Sequence, residues 1–281
     1  MTAAATMPLW LPFAPGLSRP AIIRPAEHAL LKPGAFRPMT RKECQATIAD
    51  LVRGSRLTFA EAQRAMFFVP VMGVARKAAP SFTYNNRYAD SSDTATYTFS
   101  SSSIGAAAAN RLVVVGVASG DASGSASSHM TVTVGGNAAT LIAQAGGTVF
   151  ASLWYINVPS GTTATVVVSC TSGGYFECGI GIWSLYNLSS FTPVSHAEGS
   201  SATSNLNMNV NKNDIIVMMT HNYPGSTSLT GVTSDFSGVT IDGTALMTGG
   251  SYQAAAAETP RTLTATFSSA TYRGAAAAVW R

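Results

Sequence analysis

The stretch RLVVVGVASG at residues 111–120 decides how this chain is read, because a near-echo, DIIVMMTHNY, follows about a hundred residues later at 214–223. Both are short runs of β-branched and large apolar residues that end among Gly, Ser or Asn, the composition of a strand closed by a turn. Working outward, candidate strands lie at 95–100, 111–118, 130–134, 138–143, 148–157 and 163–169. A second set lies at 178–186, 206–210, 214–221, 238–241, 246–255, 262–267 and 274–281. Turns at near-regular spacing predict a mainly β region over 81–281, of the β-sandwich or jelly-roll-like kind.

The echo belongs to a longer repetition. RLVVVGVASG leads to TVTVGGNAATLI and then TATVVVSCTSGGYFECGIGIWSLY, while DIIVMMTHNY leads to VTIDGTALM and then TLTATFSSATYRGAAAAVWR. Leu112 with Ile215, Thr165 with Thr264 and Trp183 with Trp280 all keep an offset near a hundred residues, which predicts a duplicated β-unit with sub-repeats of about 95–187 and 205–281. The bridge NLSSFTPVSHAEGSSATSN is short and partly apolar, so one tightly joined β-region is expected. Alternation along a strand sends Trp154 and Tyr155 to opposite faces, one into the core and the other away from it, and gives Trp183 and Trp280 equivalent core positions.

Ahead of this region the composition changes. Only 11% of the 281 residues are charged, yet residues 1–80 hold eleven of the seventeen Lys and Arg, four of the thirteen acids and nine of the thirteen prolines. The front of the chain therefore carries +7 and the rest −3. Residues 1–39 read as an extended, Pro-rich basic arm, since recurring X-Pro steps exclude helix and central strand. Its large apolar and basic residues, among them Trp10, Phe13, Arg19, Ile22, Ile23, Arg24, Phe36 and Arg37, are poor material for a disordered linker and suit anchors that dock on another surface. The positive charges are scattered instead of forming a run, so an acidic protein is the expected partner and nucleic acid is not. Over 40–80, Thr40 with Glu43 and Thr58 with Glu61 form capping boxes that predict a short helical segment over 40–68, followed by a linker. No secretory signal is expected at MTAAATMPLW, and no run is long enough for a membrane span.

The chemistry-bearing residues are sparse. His28, His129, His196 and His221 occur singly, without zinc-site spacing, and read as surface or structural. GDASGSASS at 120–128 lacks the nucleophile-elbow pattern, and YADSSD offers only Asp90 and Asp93 for calcium. Asp242 reads as the Asp-Gly turn of VTIDGTA. A hydrolase would need two acids converging in one cleft. No enzyme, cofactor or metal is expected. Cys170 and Cys178 flank TSGGYFE and, placed across a hairpin, are able to form a disulfide; the alternative is two reduced buried thiols. Tyr175 in SGGYFE, and Asn222 with Tyr223 in HNYPGSTS, are candidates for exposed contact with a sugar ligand, where an aromatic ring stacks and amides hydrogen-bond.

TYTFSSSSIGAAAANRLVVVGVASG (96–120), MTVTVGGNAATLIAQAG (130–146), LWYINVPSGTTATVVVSC (153–170) and GIGIWSLYNLSS (179–190) carry a resemblance. Over 82–281 the chain resembles a β-rich module of structural proteins in tailed bacteriophages. That resemblance implies a virion protein on the surface of the phage head or tail, a capsid decoration, tail fibre or head spike, without enzymatic activity. Its implied partners are capsid, portal or tail subunits and further copies of itself, with a trimer as the analogous assembly. Host attachment through a surface glycan is the alternative role.

Overall fold

The computed structural model describes residues 78–121, 130–170, 175–268 and 271–281. The arm over 1–39 and the helical segment over 40–68 lie outside the described residues. All regular structure among the described residues is antiparallel β-strand. The first nine strands are β1 (Ser81–Asp90), β2 (Thr96–Ser103), β3 (Leu112–Asp121), β4 (Met130–Val134), β5 (Asn137–Ala138), β6 (Thr140–Gly146), β7 (Val149–Asn157), β8 (Thr163–Cys170) and β9 (Tyr175–Tyr186). The remaining eight are β10 (Ser195–Gly199), β11 (Thr203–Val210), β12 (Ile215–Tyr223), β13 (Thr227–Thr230), β14 (Thr233–Asp242), β15 (Ala245–Gln253), β16 (Glu258–Phe267) and β17 (Tyr272–Trp280).

These strands make four sheets, and the two halves of the region use one wiring plan. The first half has a sheet ordered β1-β9-β3-β7-β6 and another ordered β2-β8-β4-β5. The second half has β10-β17-β12-β15-β14 and β11-β16-β13. Counting along the chain, β10, β11, β12 and β13 take the places of β1, β2, β3 and β4, and β14 to β17 take those of β6 to β9.

Three apolar cores show how the sheets stack. One lies between the first two sheets and includes Tyr97, Val115, Val168 and Ile182. Another lies between the two five-stranded sheets and includes Val114, Leu153, Trp183, Met219 and Trp280. The last lies between the second pair and includes Leu206, Met218, Leu263 and Val279. The five-stranded sheets are thus inner layers buried on both faces, and the other two are outer layers with one wet face. The sequence follows suit. Outer strand β11 alternates in burial residue by residue, whereas inner strand β12 is buried at every position up to Asn222.

This layering corrects one expectation. Trp154 enters the first core, but Tyr155 on the opposite face packs against the second instead of facing away, because its sheet has no free face. Trp183 and Trp280 are both fully buried, and each indole N–H crosses to a partner: Trp183 donates to Asp235 Oδ2 at 2.7 Å and Trp280 to the Phe191 carbonyl at 3.0 Å.

The seam between the inner sheets has a pseudo-two-fold arrangement. β3 packs on β12, β7 and β6 pack on β17, β6 also meets β10, and β1 meets β14, so counterpart strands exchange places across it. At the offset that relates Leu112 to Ile215, Gly116 corresponds to Met219, and a Cβ on Gly116 would touch the Met219 side chain at 3.0 Å. Elsewhere small residues hold the sheets close: Gly179 and Gly181 on β9, with Ala276 and Ala278 at the matching places on β17.

Counterpart strands run in the same direction, since His221 near the end of β12 lies against Ser119 near the end of β3. Both halves therefore share one end, called basal here, where the chain enters at Ser81 and leaves at Arg281. There Gln253 Nε2 donates to the Pro80 carbonyl at 2.5 Å and Asn187 Nδ2 to the Ala79 carbonyl at 3.2 Å. Arg111, fully buried, ties basal connections by donating to the carbonyls of Val158, Gly105 and Ser160 at 2.8, 2.7 and 2.7 Å. Its counterpart, Asp214, has the opposite charge and accepts from Arg281 Nε at 3.1 Å.

The seam makes a direct prediction. A Cβ on Gly181 would lie 2.8 Å from the Phe236 and Trp183 rings. Gly181→Val is expected to lower unfolding free energy by about 2–3 kcal/mol, measured by urea titration. Gly147→Ala, an exposed turn position with open space around it, should shift it by less than about 0.5 kcal/mol.

Candidate functional site at the apical end

Opposite the basal end lie the counterpart connections 91–95 and 200–202, the counterpart connections 147–148 and 243–244, and the turn at 224–226. This apical end holds the described residues that suit recognition. Val194, Tyr223 and Tyr272 are the large hydrophobic side chains exposed among the described residues, and the two tyrosines are neighbours. Tyr223 closes β12 and Tyr272 opens β17, so they sit opposite each other in the ladder, with ring centroids 6.3 Å apart and 40% and 42% exposed.

The turn after Tyr223 is built to hold that ring in place. The Tyr223–Pro224 bond is cis. Asn222 Nδ2 donates to the Ser226 carbonyl at 2.8 Å, and Gly225 N donates to the Thr244 carbonyl at 3.0 Å. Ser226 N donates to Ser268 Oγ at 2.8 Å, and Ser268 N returns a bond to the Ser226 carbonyl at 3.0 Å. Three apical connections are thereby knitted together beneath the aromatic pair.

The expected sugar-contact residues divide accordingly. Tyr223 is exposed as expected. Asn222 is fully buried and serves the turn instead, because β12 runs on through His221 and Asn222 before the chain turns. Tyr175 opens β9 opposite Asp121, and its side chain lies outside the described residues. Tyr272 was not among the sequence candidates. Its signal was present in the repeat, since SSATYRG stands where TSGGYFE stands and Tyr272 matches Tyr175.

The hairpin placement of Cys170 and Cys178 is corrected. β8 pairs with β2 and β4, whereas β9 pairs with β1 and β3, so the two cysteines belong to different sheets. Cys178 is a free, fully buried thiol in the first core, and burial raises its pKa well above the usual value. The side chain of Cys170 lies outside the described residues.

Of the histidines, His196 is exposed on β10 and His221 is fully buried, while His28 and His129 lie outside the described residues. Asp242 ends β14 at a turn whose Gly243 has φ +49, the left-handed region where glycine is favoured. Asp90 caps its own connection, accepting from Ser92 N at 2.9 Å. Among the described residues no group of three His, Cys, Asp or Glu side chains is placed to hold a metal ion. The eight anchoring residues between Trp10 and Arg37 lie outside the described residues.

No family model, no curated protein and no solved structure matches this chain.

With Cys44 and Cys170 replaced by serine, Cys178 is expected to react with a maleimide only as the β-region unfolds, so its labelling rate should follow urea unfolding monitored by tryptophan fluorescence. Rapid labelling of the native protein would remove Cys178 from the core.

Proposed function

We propose that this protein is a non-enzymatic structural component of a tailed-phage virion, docked to capsid, portal or tail subunits through residues 1–39 and displaying a paired β-sandwich outward as a decoration, fibre or spike. The observation that carries the reading is the polarity of the β-region. The chain enters at the basal end, and the exposed tyrosines and paired connections occupy the opposite one. A module attached through its basal end presents its apical end to whatever the particle meets.

The front of the chain supports the same division of labour. Trp10, Phe13, Ile22, Ile23 and Phe36 supply apolar anchors, and Arg19, Arg24 and Arg37 contribute to a +7 segment that complements acidic subunits. Proline pre-extends such a segment and lowers the entropy lost on docking. Deleting residues 1–39 is expected to leave a β-region with wild-type urea stability that no longer co-purifies with particles. Undiminished incorporation would refute the anchoring role. Copy counting by mass spectrometry of purified particles separates the locations, with hundreds of copies meaning the head shell and a handful meaning the tail.

The Tyr223–Tyr272 pair favours a second reading, a glycan-binding module within that assembly. Two adjacent, half-exposed rings present apolar faces on which a pyranose stacks, and the surrounding Ser226, Ser268 and Arg273 supply polar groups. Tyr223→Ala and Tyr272→Ala are each expected to abolish glycan-array binding without changing the urea midpoint. Absence of glycan binding by the wild-type chain would remove this reading and leave the structural role standing.

A further inference from the structure

Near the apical end, the apolar seam finishes in a polar pair. The seam-facing residues of β12 run Ile215, Val217, Met219 and then His221, and those of β9 begin with Glu177 before Gly179, Gly181 and Trp183. The His221 side chain is 0% exposed and that of Glu177 is 5% exposed. His221 belongs to the second half, yet its polar neighbours, Ser119 on β3, Phe150 on β7 and Glu177 on β9, all belong to the first.

Hydrogen-bond bookkeeping places the protons. His221 Nδ1 lies 3.2 Å from the Ser119 carbonyl and 3.3 Å from the Phe150 carbonyl, both acceptors, so Nδ1 carries a hydrogen. Nε2 is buried, makes no other hydrogen bond among the described residues and faces Glu177 Oε1 at 3.4 Å. A lone pair and a carboxylate oxygen facing each other in a dry seam repel, so a proton belongs between them.

We propose that Glu177 and His221 share one buried proton, held as a carboxylic acid donating to the imidazole, and that this proton latches the two halves together beneath the Tyr223 turn. The latch is independent of the virion reading. Burial disfavours both charges: it raises the Glu177 carboxyl to about 7, with Asp242 and Asp93 adding to the effect, and lowers His221 to about 4 against the opposing pull of the two carbonyls. Near this end of the seam the neighbouring strands also carry Asp90 on β1, Cys178 on β9, Tyr223 on β12, and Tyr272 and Arg273 on β17, where Arg273 Nε donates to the Ser200 carbonyl at 2.8 Å. At the counterpart positions stand Ala118 and Gly274, and a Cβ on Gly274 would lie 2.1 Å from the Ala145 carbonyl oxygen, so the latch exists on one side of the pseudo-axis.

Linkage gives the signature. The folded value of Glu177 lies above its ordinary 4.5, so its contribution is present below that pH and is lost as pH rises toward 7. The folded value of His221 lies below its ordinary 6.5, so its neutral form costs stability as pH falls from 6.5 toward 4. Between 4.5 and 6.5 the unfolded chain also carries one proton on this pair, on the imidazole, and the two trends cancel.

Single variants should therefore tilt in opposite directions. In urea titrations of the full chain across this window, the folding equilibrium constant of Glu177→Gln relative to wild type is expected to rise about tenfold per pH unit, and that of His221→Gln to fall about tenfold per unit. Flat ratios, or two ratios with the same slope, would overturn the shared proton. Should either variant fail to fold, nitrogen NMR of His221, in a chain whose other three histidines are glutamine, decides the matter near pH 5.5. One protonated and one pyridine-like ring nitrogen are expected, and two protonated nitrogens would overturn the proposal.

Discussion

The structure depends on burying two antiparallel sheets on both faces. An ordinary half-buried sheet needs only one apolar face, whereas the inner strands here need two, and their sequences become unbroken apolar runs such as LVVVGVA and IIVMM. Two such sheets come close only where side chains are small, which explains the glycines of β9 and the alanines of β17 at matching places. The outer sheets follow from the inner ones, because each inner sheet has a second apolar face to cover. Strands with alternating Thr, Asn and Ser, such as TSNLNMNV, cover it and present an uncharged, hydrated surface, with Thr262 and Thr264 hydroxyls donating to the side chains of Asn207 and Asn205 at 2.7 and 2.9 Å.

That economy leaves the two ends as the places where function has room. The basal end is occupied by chain entry, the C-terminus and the ties through Arg111, Asp214 and Gln253. The apical end presents the exposed Tyr223 and Tyr272 beside connections between strands, a division familiar from domains in which a rigid scaffold carries recognition loops. His221 of the polar pair stands two residues before the exposed Tyr223 on β12, so one strand carries both the seam contact and the presented ring.

Much of the fold was legible in the sequence because strand identity is set by local period. The 214–221 and 163–169 segments became β12 and β8 with ends shifted by one or two residues. Besides the four-residue β13 (TSLT), two strands went unread, β1 (SFTYNNRYAD) and β10 (SHAEG). They hold the same place at the sheet edge in each half, where one-sided pairing and partial burial leave a polar sequence with little apolar period. The candidate site was half legible. An exposed Tyr223 follows from a turn signal, but Asn222 beside it is buried by a strand that outruns that signal, and Tyr272 needed the repeat register. The His221–Glu177 contact was illegible, since residues 44 positions apart meet only through packing of one half on the other.

Gly116 against Met219 marks how the halves relate. In a dimer of identical subunits, a residue on the rotation axis meets its own twin, so two methionines would collide there or two glycines would leave a hole. Carrying both copies on one polypeptide lifts that restriction: a knob on one side is free to fit a socket on the other, and an acid and a base are free to appear once instead of twice. It also makes the association unimolecular, so the mated halves stay together however far the protein is diluted.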